Sequence, residues 1–245
     1  MRLNPSAPWG ALLALAGAAL VLVTRQGTRS GALAGFLVAL IATAGLGAAA
    51  FVPLALFVLG SGLLTRTGRA KKERLGMAEN NEGRRGVRHV TAKLALPAAA
   101  GGLALFGAAP DAILVLAYVA ALAGAFADTA ATELGPVIGG RVLALHGFRI
   151  VAAAHGTPGG VSAPGLLAGA GSALLAAIAA SGVGLLPATS AWIAACAGFL
   201  GSVLESALAP TALGARVGHF GRNVFVSAAS AGLALGASAL GRIGS

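Results

Sequence analysis

Three of the seven acidic residues in this 245-residue chain stand next to apolar stretches. Asp128 and Glu133 follow one apolar run, and Glu205 comes near the end of another. An ionised carboxylate at membrane depth costs at least about 2.5 kcal/mol and needs a compensating partner. Carboxylate oxygens also suit Mg²⁺ that is held jointly with substrate phosphates. We therefore predict that Asp128, Glu133 and Glu205 are catalytic and bind Mg²⁺.

Ion pairing is the alternative role for these acids. In that interpretation Glu133 neutralises Arg141 and Glu205 neutralises Arg216, because charges in a membrane protein usually pair. Asp111 follows a proline at a turn and is better explained as a helix cap.

A glycine-rich segment, residues 155–162, precedes a proline that can occupy the first turn of a helix. A glycine turn that leads into a helix N-terminus presents N–H groups and a positive dipole end, which together bind phosphate. A tight turn between helices is the alternative, since glycine is abundant throughout the chain. The predicted phosphate contacts here are Thr157, Gly159, Gly160 and Ser162.

Basic residues concentrate between residues 66 and 93. The basic residues in the first part of this segment can determine the membrane topology by staying at the bilayer surface. Those just before the next apolar run can bind phosphates at that surface. The histidines have no His or Cys partner at metal-ligand spacing. The remaining predicted phosphate-binding residues are Lys72, Arg84, Arg85, Arg88, Lys93 and Asn223.

The composition excludes an ordinary soluble domain. The chain is 57% hydrophobic and 10% charged, with a mean hydropathy of +0.88, whereas soluble domains are roughly 25% charged. Its 38 glycines fit membrane helices that pack closely. A net charge of +10 without an aromatic-interleaved basic face favours lipid headgroups and phosphates over nucleic acid as partners.

Hydropathy predicts an all-α, polytopic transmembrane bundle of about eight spans, with seven possible. One long run is expected to break near residues 45–47 into a helical hairpin. We predict a single membrane domain over 1–245, with a polar cytosolic loop at about 66–93 and a glycine-rich cytosolic loop at about 128–163. The predicted spans are 9–23, two within 31–65, 94–110, 112–127, 164–186, 188–204 and 223–241.

The distribution of positive charge predicts an orientation. With eight spans and both termini outside, only Arg2 and Arg242 of the 17 lysines and arginines fall outside. This asymmetry follows the positive-inside rule. We therefore expect a prokaryotic-type inner or plasma membrane protein whose motif loops face the cytosol.

Four motifs, in the same order, resemble those of the integral membrane family related to the plant phytyl-phosphate kinase. Together they cover most of the chain and are much more specific than any one alone. They are Gly-Ser-Gly-Leu-Leu-Thr-Arg at 60–66 with the lysine pair at 71–72, Ala-Asp-Thr at 127–129 with Glu-Leu-Gly at 133–135, Gly-Thr-Pro-Gly-Gly-Val-Ser at 156–162, and Gly-Ser at 201–202 with Glu-Ser at 205–206.

The resemblance implies transfer of a phosphoryl group from a nucleoside triphosphate to an isoprenyl monophosphate such as phytyl phosphate. The nucleotide would be CTP, as in polyprenol kinases, or ATP, and Mg²⁺ would accompany it. Lys93, Arg88 and the glycine-rich segment would hold phosphates, while the spans would accommodate the isoprenoid tail.

Three alternatives stay open. An isoprenoid alcohol kinase would need a carboxylate as base, and a transporter of an anionic substrate would line a pathway with the same acids. A non-catalytic scaffold is the third, because Glu205 stands where the family usually has Asp and residues 91–97 also depart from its pattern.

Overall fold

The computed structural model describes residues 3–77, 83–109, 111–146 and 149–243. Arg2, Glu79 and Glu82 lie outside these ranges. The helices are α1 (Ala7–Val23), α2 (Arg29–Leu46), α3 (Phe51–Arg66), α4 (Arg69–Arg74), α5 (Val87–Phe106), α6 (Asp111–Ile138), α7 (Ala163–Gly182), α8 (Ala188–Leu208) and α9 (Ala212–Ile243).

The helical membrane fold predicted from hydropathy is confirmed. The described residues contain seven helices long and apolar enough to cross a membrane, and α1 is a shorter apolar helix of the same kind. The expected hairpin break falls at Gly47, whose φ of 95° ends α2 before a short 3₁₀ turn leads into α3. Each predicted span corresponds to one helix, because the apolar runs are separated by polar or glycine-containing segments.

Helix α6 forms the centre of the bundle. In the most apolar 18-residue stretch of α6, 83% of the residues are buried inside the protein. The corresponding share in the other spans is 28% to 44%. Small residues allow the surrounding helices to approach it, as membrane packing requires. A Cβ atom on Gly198 of α8 would lie 2.8 Å from the backbone nitrogen of Gly124 in α6. The two backbones are therefore in direct contact there.

Helix α6 is longer than the sequence predicts. It continues to Ile138, so Asp128 and Glu133 lie in a helix and the predicted loop over 128–163 is wrong in its first part. The predicted 66–93 loop is likewise partly helical, since it contains α4 and the first turns of α5. Both acids have buried cationic partners, described below, and this pairing lets the helix continue past them.

A small antiparallel sheet, which the sequence analysis does not predict, lies between α6 and α7. Its strands are β1 (Val142–His146), β2 (Arg149–Ala153) and β3 (Val161–Ser162), in the order β2-β1-β3. Two left-handed glycines, Gly139 and Gly140, turn the chain from α6 into β1. The glycine-rich segment follows β2 and ends with β3, directly before α7.

The basic connecting segments all lie at one end of the bundle. Arg66 donates to the carbonyl of Thr24 after α1, and Lys71 donates to the carbonyl of Val137 near the end of α6. A Cβ atom on Gly159 would contact the carbonyl oxygen of Ser206 in α8. The segments after α1, α3, α6 and α8 therefore meet, as the charge distribution predicts.

We expect this end to face the cytosol. In a variant whose exposed Cys196 is replaced by alanine, Leu75→Cys after α4 should be protected from a membrane-impermeant thiol reagent in intact cells. Val183→Cys, after α7 at the opposite end, should react. Both positions are exposed, at 42% and 40%, so folding should not mask either thiol. Labelling in the reverse pattern would overturn the orientation.

Candidate functional site

A polar cavity of about 240 Å³ lies at the basic end of the bundle, between α5, α6, α8 and α9. Its remaining wall is the glycine-rich segment and the start of α7. It brings together most of the residues predicted from the sequence, although they come from distant parts of the chain. Those that line it are Arg85, Lys93, Asp128, Glu133, Thr157, Gly159, Gly160, Ser162, Glu205 and Asn223.

A buried ion pair joins α5 to α6 at the cavity wall. The Lys93 ammonium donates to Asp128 Oδ2 at 2.7 Å and to Thr129 Oγ1 at 3.0 Å. Lys93 is 4% exposed, so little water screens its charge. Such a pair holds a cation and a carboxylate in fixed positions beside the cavity.

A second ion pair joins α8 to α9. Arg222 Nε lies 3.1 Å from Glu205 Oε1, and both side chains are mostly buried. The backbone of α9 is non-helical at Gly218, with φ 64° and ψ −172°. This break precedes His219, Arg222 and Asn223, and all three line the cavity.

At the cavity wall, Glu133 is held in a network of hydrogen bonds. Its Oε2 accepts a 2.6 Å hydrogen bond from Lys72, and its Oε1 accepts a 2.7 Å hydrogen bond from Thr65. Thr65 Oγ1 in turn accepts from the Arg85 guanidinium at 3.1 Å. Both carboxylate oxygens of Glu133 are therefore engaged by protein groups.

Lys72, which we predict to bind phosphate, does not line the cavity. Lys72 is 2% exposed and is absent from the cavity wall. Besides Glu133, it donates to the carbonyls of Leu64 and Thr65 at the end of α3, where a cation satisfies unpaired carbonyl groups. Lys72 is a structural residue that fixes α4 against α3 and α6.

The predicted ion-pair partners of the acids are also wrong. Glu133 pairs with Lys72 rather than Arg141, and Glu205 pairs with Arg222 rather than Arg216. The idea of pairing itself is correct. The partners come from other helices because the bundle, rather than nearness in sequence, decides which groups meet.

Besides Lys72, two more of the predicted basic residues lie outside the cavity. Arg84 is exposed and contacts the carbonyl of Gly27, and Arg88 stacks over the ring of Phe220 at 5.9 Å. The prediction that Arg88 holds a substrate phosphate therefore does not fit this geometry. Of the basic residues just before and within the start of α5, Arg85 and Lys93 line the cavity.

The glycine-rich segment leads into the N-terminus of α7, as expected. Gly156 and Gly159 have φ values of 88° and 71°, which favour glycine. Ser162 caps α7 by accepting a hydrogen bond from the backbone N–H of Gly165. A helix N-terminus thus faces the cavity, which favours an anion there.

Sequence reasoning missed several cavity residues. His89, His155, His219 and Arg222 all line the wall. His89 Nε2 is buried and has no hydrogen-bond partner among the described residues. For His89 the available signal was its spacing from Lys93, because residues four apart in α5 share one helix face.

The predicted three-carboxylate cluster for Mg²⁺ is not formed. Among the described residues no three His, Cys, Asp or Glu side chains are grouped as a metal site. Asp128 and Glu205 nevertheless fit the ion, because Oδ1 of Asp128 and Oε2 of Glu205 make no ion pair within the described part of the chain. Mg²⁺ characteristically takes one or two carboxylates and completes its shell with phosphate oxygens and water.

Two curated proteins are similar to this chain. The uncharacterized membrane protein sll0875 of Synechocystis sp. is 37% identical over 162 residues, which cover 65% of this chain and 61% of that protein. The chloroplastic protein VTE6 of Arabidopsis thaliana is 28% identical over 198 residues, which cover 80% of this chain and 54% of that protein. The chain thus spans less than two thirds of the length of either relative.

No solved structure matches the chain. A protein-family model for integral membrane proteins, DUF92, matches residues 12–217. Together with the plant relative, this match confirms the resemblance inferred from the four motifs. The chain belongs to the DUF92 family of integral membrane proteins.

Proposed function

We propose that this protein is a membrane kinase. It transfers a phosphoryl group from a nucleoside triphosphate, which we expect to be CTP, to an isoprenyl monophosphate. The observation that carries the proposal is the cavity itself. Buried cations, two partly free carboxylates and the N-terminus of α7 converge on one space at the end of a membrane bundle. These groups are the ones that position and neutralise phosphates.

A monophosphate acceptor suits the basic side of this cavity. With a second pKa of about 6, a phosphate monoester is mostly a dianion at neutral pH, so it needs no base to attack. Arg85 and Lys93 line the wall and provide the positive charge for it. The glycine-rich segment and the start of α7 provide a separate anion site for the nucleotide phosphates.

Asp128 and Glu205 would hold Mg²⁺ together with the nucleotide phosphates. When bound, the ion neutralises charge that develops on the transferred group. The protein's own part is positioning. The pairs Lys93 with Asp128 and Arg222 with Glu205 fix these carboxylates on α6 and α8, and the surrounding helices limit water access.

The family match and the plant relative support a role in isoprenoid phosphate metabolism, as the motif resemblance implied. A transporter is supported less well, because most of the described charges gather at one end of the bundle and the sequence has no repeated halves. An isoprenoid alcohol kinase has one specific observation in its favour: His89, with its unpartnered Nε2, is a group that can accept a proton.

Purified protein incubated with Mg²⁺ and CTP should convert phytyl or geranylgeranyl monophosphate to the diphosphate, and should leave the matching alcohol unchanged. The acceptor dianion gains charge-assisted contacts with Arg85 and Lys93 that an alcohol lacks. Lipid mass analysis measures both products, and ATP in place of CTP tests the nucleotide. Equal phosphorylation of the alcohol would instead favour the alcohol kinase with His89 as base.

Arg85→Gln should raise the KM for the lipid phosphate by about tenfold or more, since a hydrogen bond to a charged group contributes about 1.5–3 kcal/mol. Arg88→Gln is the matched control, because Arg88 lies outside the cavity, and its KM should stay near the unsubstituted value. A larger increase in KM from Arg88→Gln than from Arg85→Gln would contradict the assigned geometry. If no lipid is phosphorylated but proteoliposomes show substrate flux, the transporter replaces the kinase.

A further inference from the structure

A second cavity, of about 210 Å³, lies between α1, α2, α3 and α5. Its wall is almost entirely apolar over most of its length and includes Phe36, Leu54 and Phe57. Because Phe51 and Gly62 both line it, its length along α3 is about 16 Å at the rise of an α-helix. We call this space the apolar groove.

The apolar groove meets the polar cavity at one place. Arg85, His89 and Lys93 line both spaces. These three residues therefore form a boundary, with hydrocarbon-lined space on one side and the charged cavity on the other. At the same end of the groove, Gln26 Oε1 and His89 Nε2 are buried without hydrogen-bond partners among the described residues. Buried polar atoms of this kind need a partner.

The chain holds this boundary rigidly. The backbone of Arg85 donates to the carbonyl of Gln26 at 3.0 Å and accepts from the N–H of Thr28 at 3.0 Å. Its guanidinium reaches Thr65 in α3, and Lys93 is fixed to α6 through Asp128. The cationic edge of the groove is thus built from three helices and the segment between α1 and α2, so it does not depend on one mobile side chain.

We propose that the apolar groove holds the hydrocarbon chain of a single-chain lipid phosphate, whose phosphate lies at the edge formed by Arg85, His89 and Lys93. The identification of that chain as isoprenoid rests on the proposed function. Positive charge at one end and apolar walls elsewhere match a lipid with one anionic head and one tail. A two-chain phospholipid matches less well, because the groove ends at a cavity whose lining is too polar for a second chain.

Gly35 of α2 gives a way to fill the groove. It lines the groove, and a Cβ atom added there would meet nothing within 4 Å. Gly35→Leu therefore adds an apolar side chain at the groove wall, where its Cβ atom has open space. Gly171→Leu in α7 is the matched control, because Gly171 also has open space around it and lies on an exposed face away from both cavities.

The first measurement is photolabelling of the purified full chain by an isoprenyl monophosphate that carries a photoreactive group at the tail end. We expect label on α1, α2, α3 or α5 near Phe51, competed by unlabelled lipid phosphate and reduced about tenfold in Gly35→Leu. A tenfold loss corresponds to roughly two buried CH₂ groups losing their contacts. Gly171→Leu should label like the unsubstituted protein.

Measuring both photolabelling and diphosphate formation distinguishes a failure of the groove proposal from a failure of the proposed kinase function. Label in the groove without any diphosphate product would keep the groove as a lipid-phosphate site and overturn the kinase. Diphosphate formation with label on α7, α8 or α9, or unchanged labelling in Gly35→Leu, would overturn the groove. Equal labelling by a photoreactive phosphatidylcholine would show an ordinary bilayer-lipid site and would also overturn it, as would the absence of label.

Discussion

Asp128→Asn is expected to lower phosphoryl transfer by about 10²–10³-fold or more, the loss seen when one charge-stabilising group is removed from an active site. The substitution removes the carboxylate that fits Mg²⁺ and the counter-charge of Lys93. It changes little volume, and Lys93 keeps its contact with Thr129. The variant should therefore remain extractable and monodisperse while single-turnover phosphoryl transfer is lost.

Asp111→Asn is the matched control for this experiment. Asp111 begins α6 at the opposite end from the cavity, so the same change of charge there should leave turnover near its original rate. Near-normal turnover of Asp128→Asn at saturating Mg²⁺ would show that Asp128 only pairs with Lys93. Measuring the monodispersity of each variant together with its rate distinguishes a loss of activity from a loss of folding.

Lys72→Met is expected to destabilise the protein by about 3–5 kcal/mol, because it leaves the Glu133 carboxylate buried and unpaired. Lys72 is 2% exposed and Glu133 is 6% exposed, so water cannot replace the lost partner. The lowered thermal midpoint in detergent should recover in part when Glu133→Leu is added, since an apolar pair often substitutes well for a buried ion pair.

Glu73→Gln provides the comparison for the buried pair. It breaks the exposed pair between Arg69 and Glu73 in the same short helix, and such pairs contribute only about 0.2–1 kcal/mol. If Lys72→Met and Glu73→Gln lower the thermal midpoint equally, the Lys72 network does not stabilise the fold. A large loss of turnover in Lys72→Met without loss of stability would instead return Lys72 to the phosphate site.

The membrane helices and the cluster of basic segments could be predicted because both depend on local properties of the chain. Apolar runs set the spans, Gly47 ends α2 where the hairpin was expected, and the charges mark one end. The glycine-rich segment was also recognisable. Gly156 and Gly159 adopt positive φ values, and the segment precedes a helix start that contains proline. All of these features are local in the sequence.

The partners of the charges could not be predicted in the same way. Asp128 meets Lys93, and Glu133 meets Lys72, across gaps of 35 and 61 residues, and only helix packing brings them together. The small sheet was missed because its strands are short and lie in a segment that resembles a loop. Lys72 and Lys71 are neighbours in sequence, yet one is buried and the other is exposed.

The order of the charges along the chain bears on how the protein enters the membrane during synthesis. Lys72 and Lys93 both precede α6, so the partners of Glu133 and Asp128 are already made when that helix leaves the ribosome. We expect α6 to insert by docking onto the completed N-terminal helices, since its unpaired acids would oppose entry alone. Glu205 precedes its partner Arg222, so α8 and α9 should enter together as a hairpin.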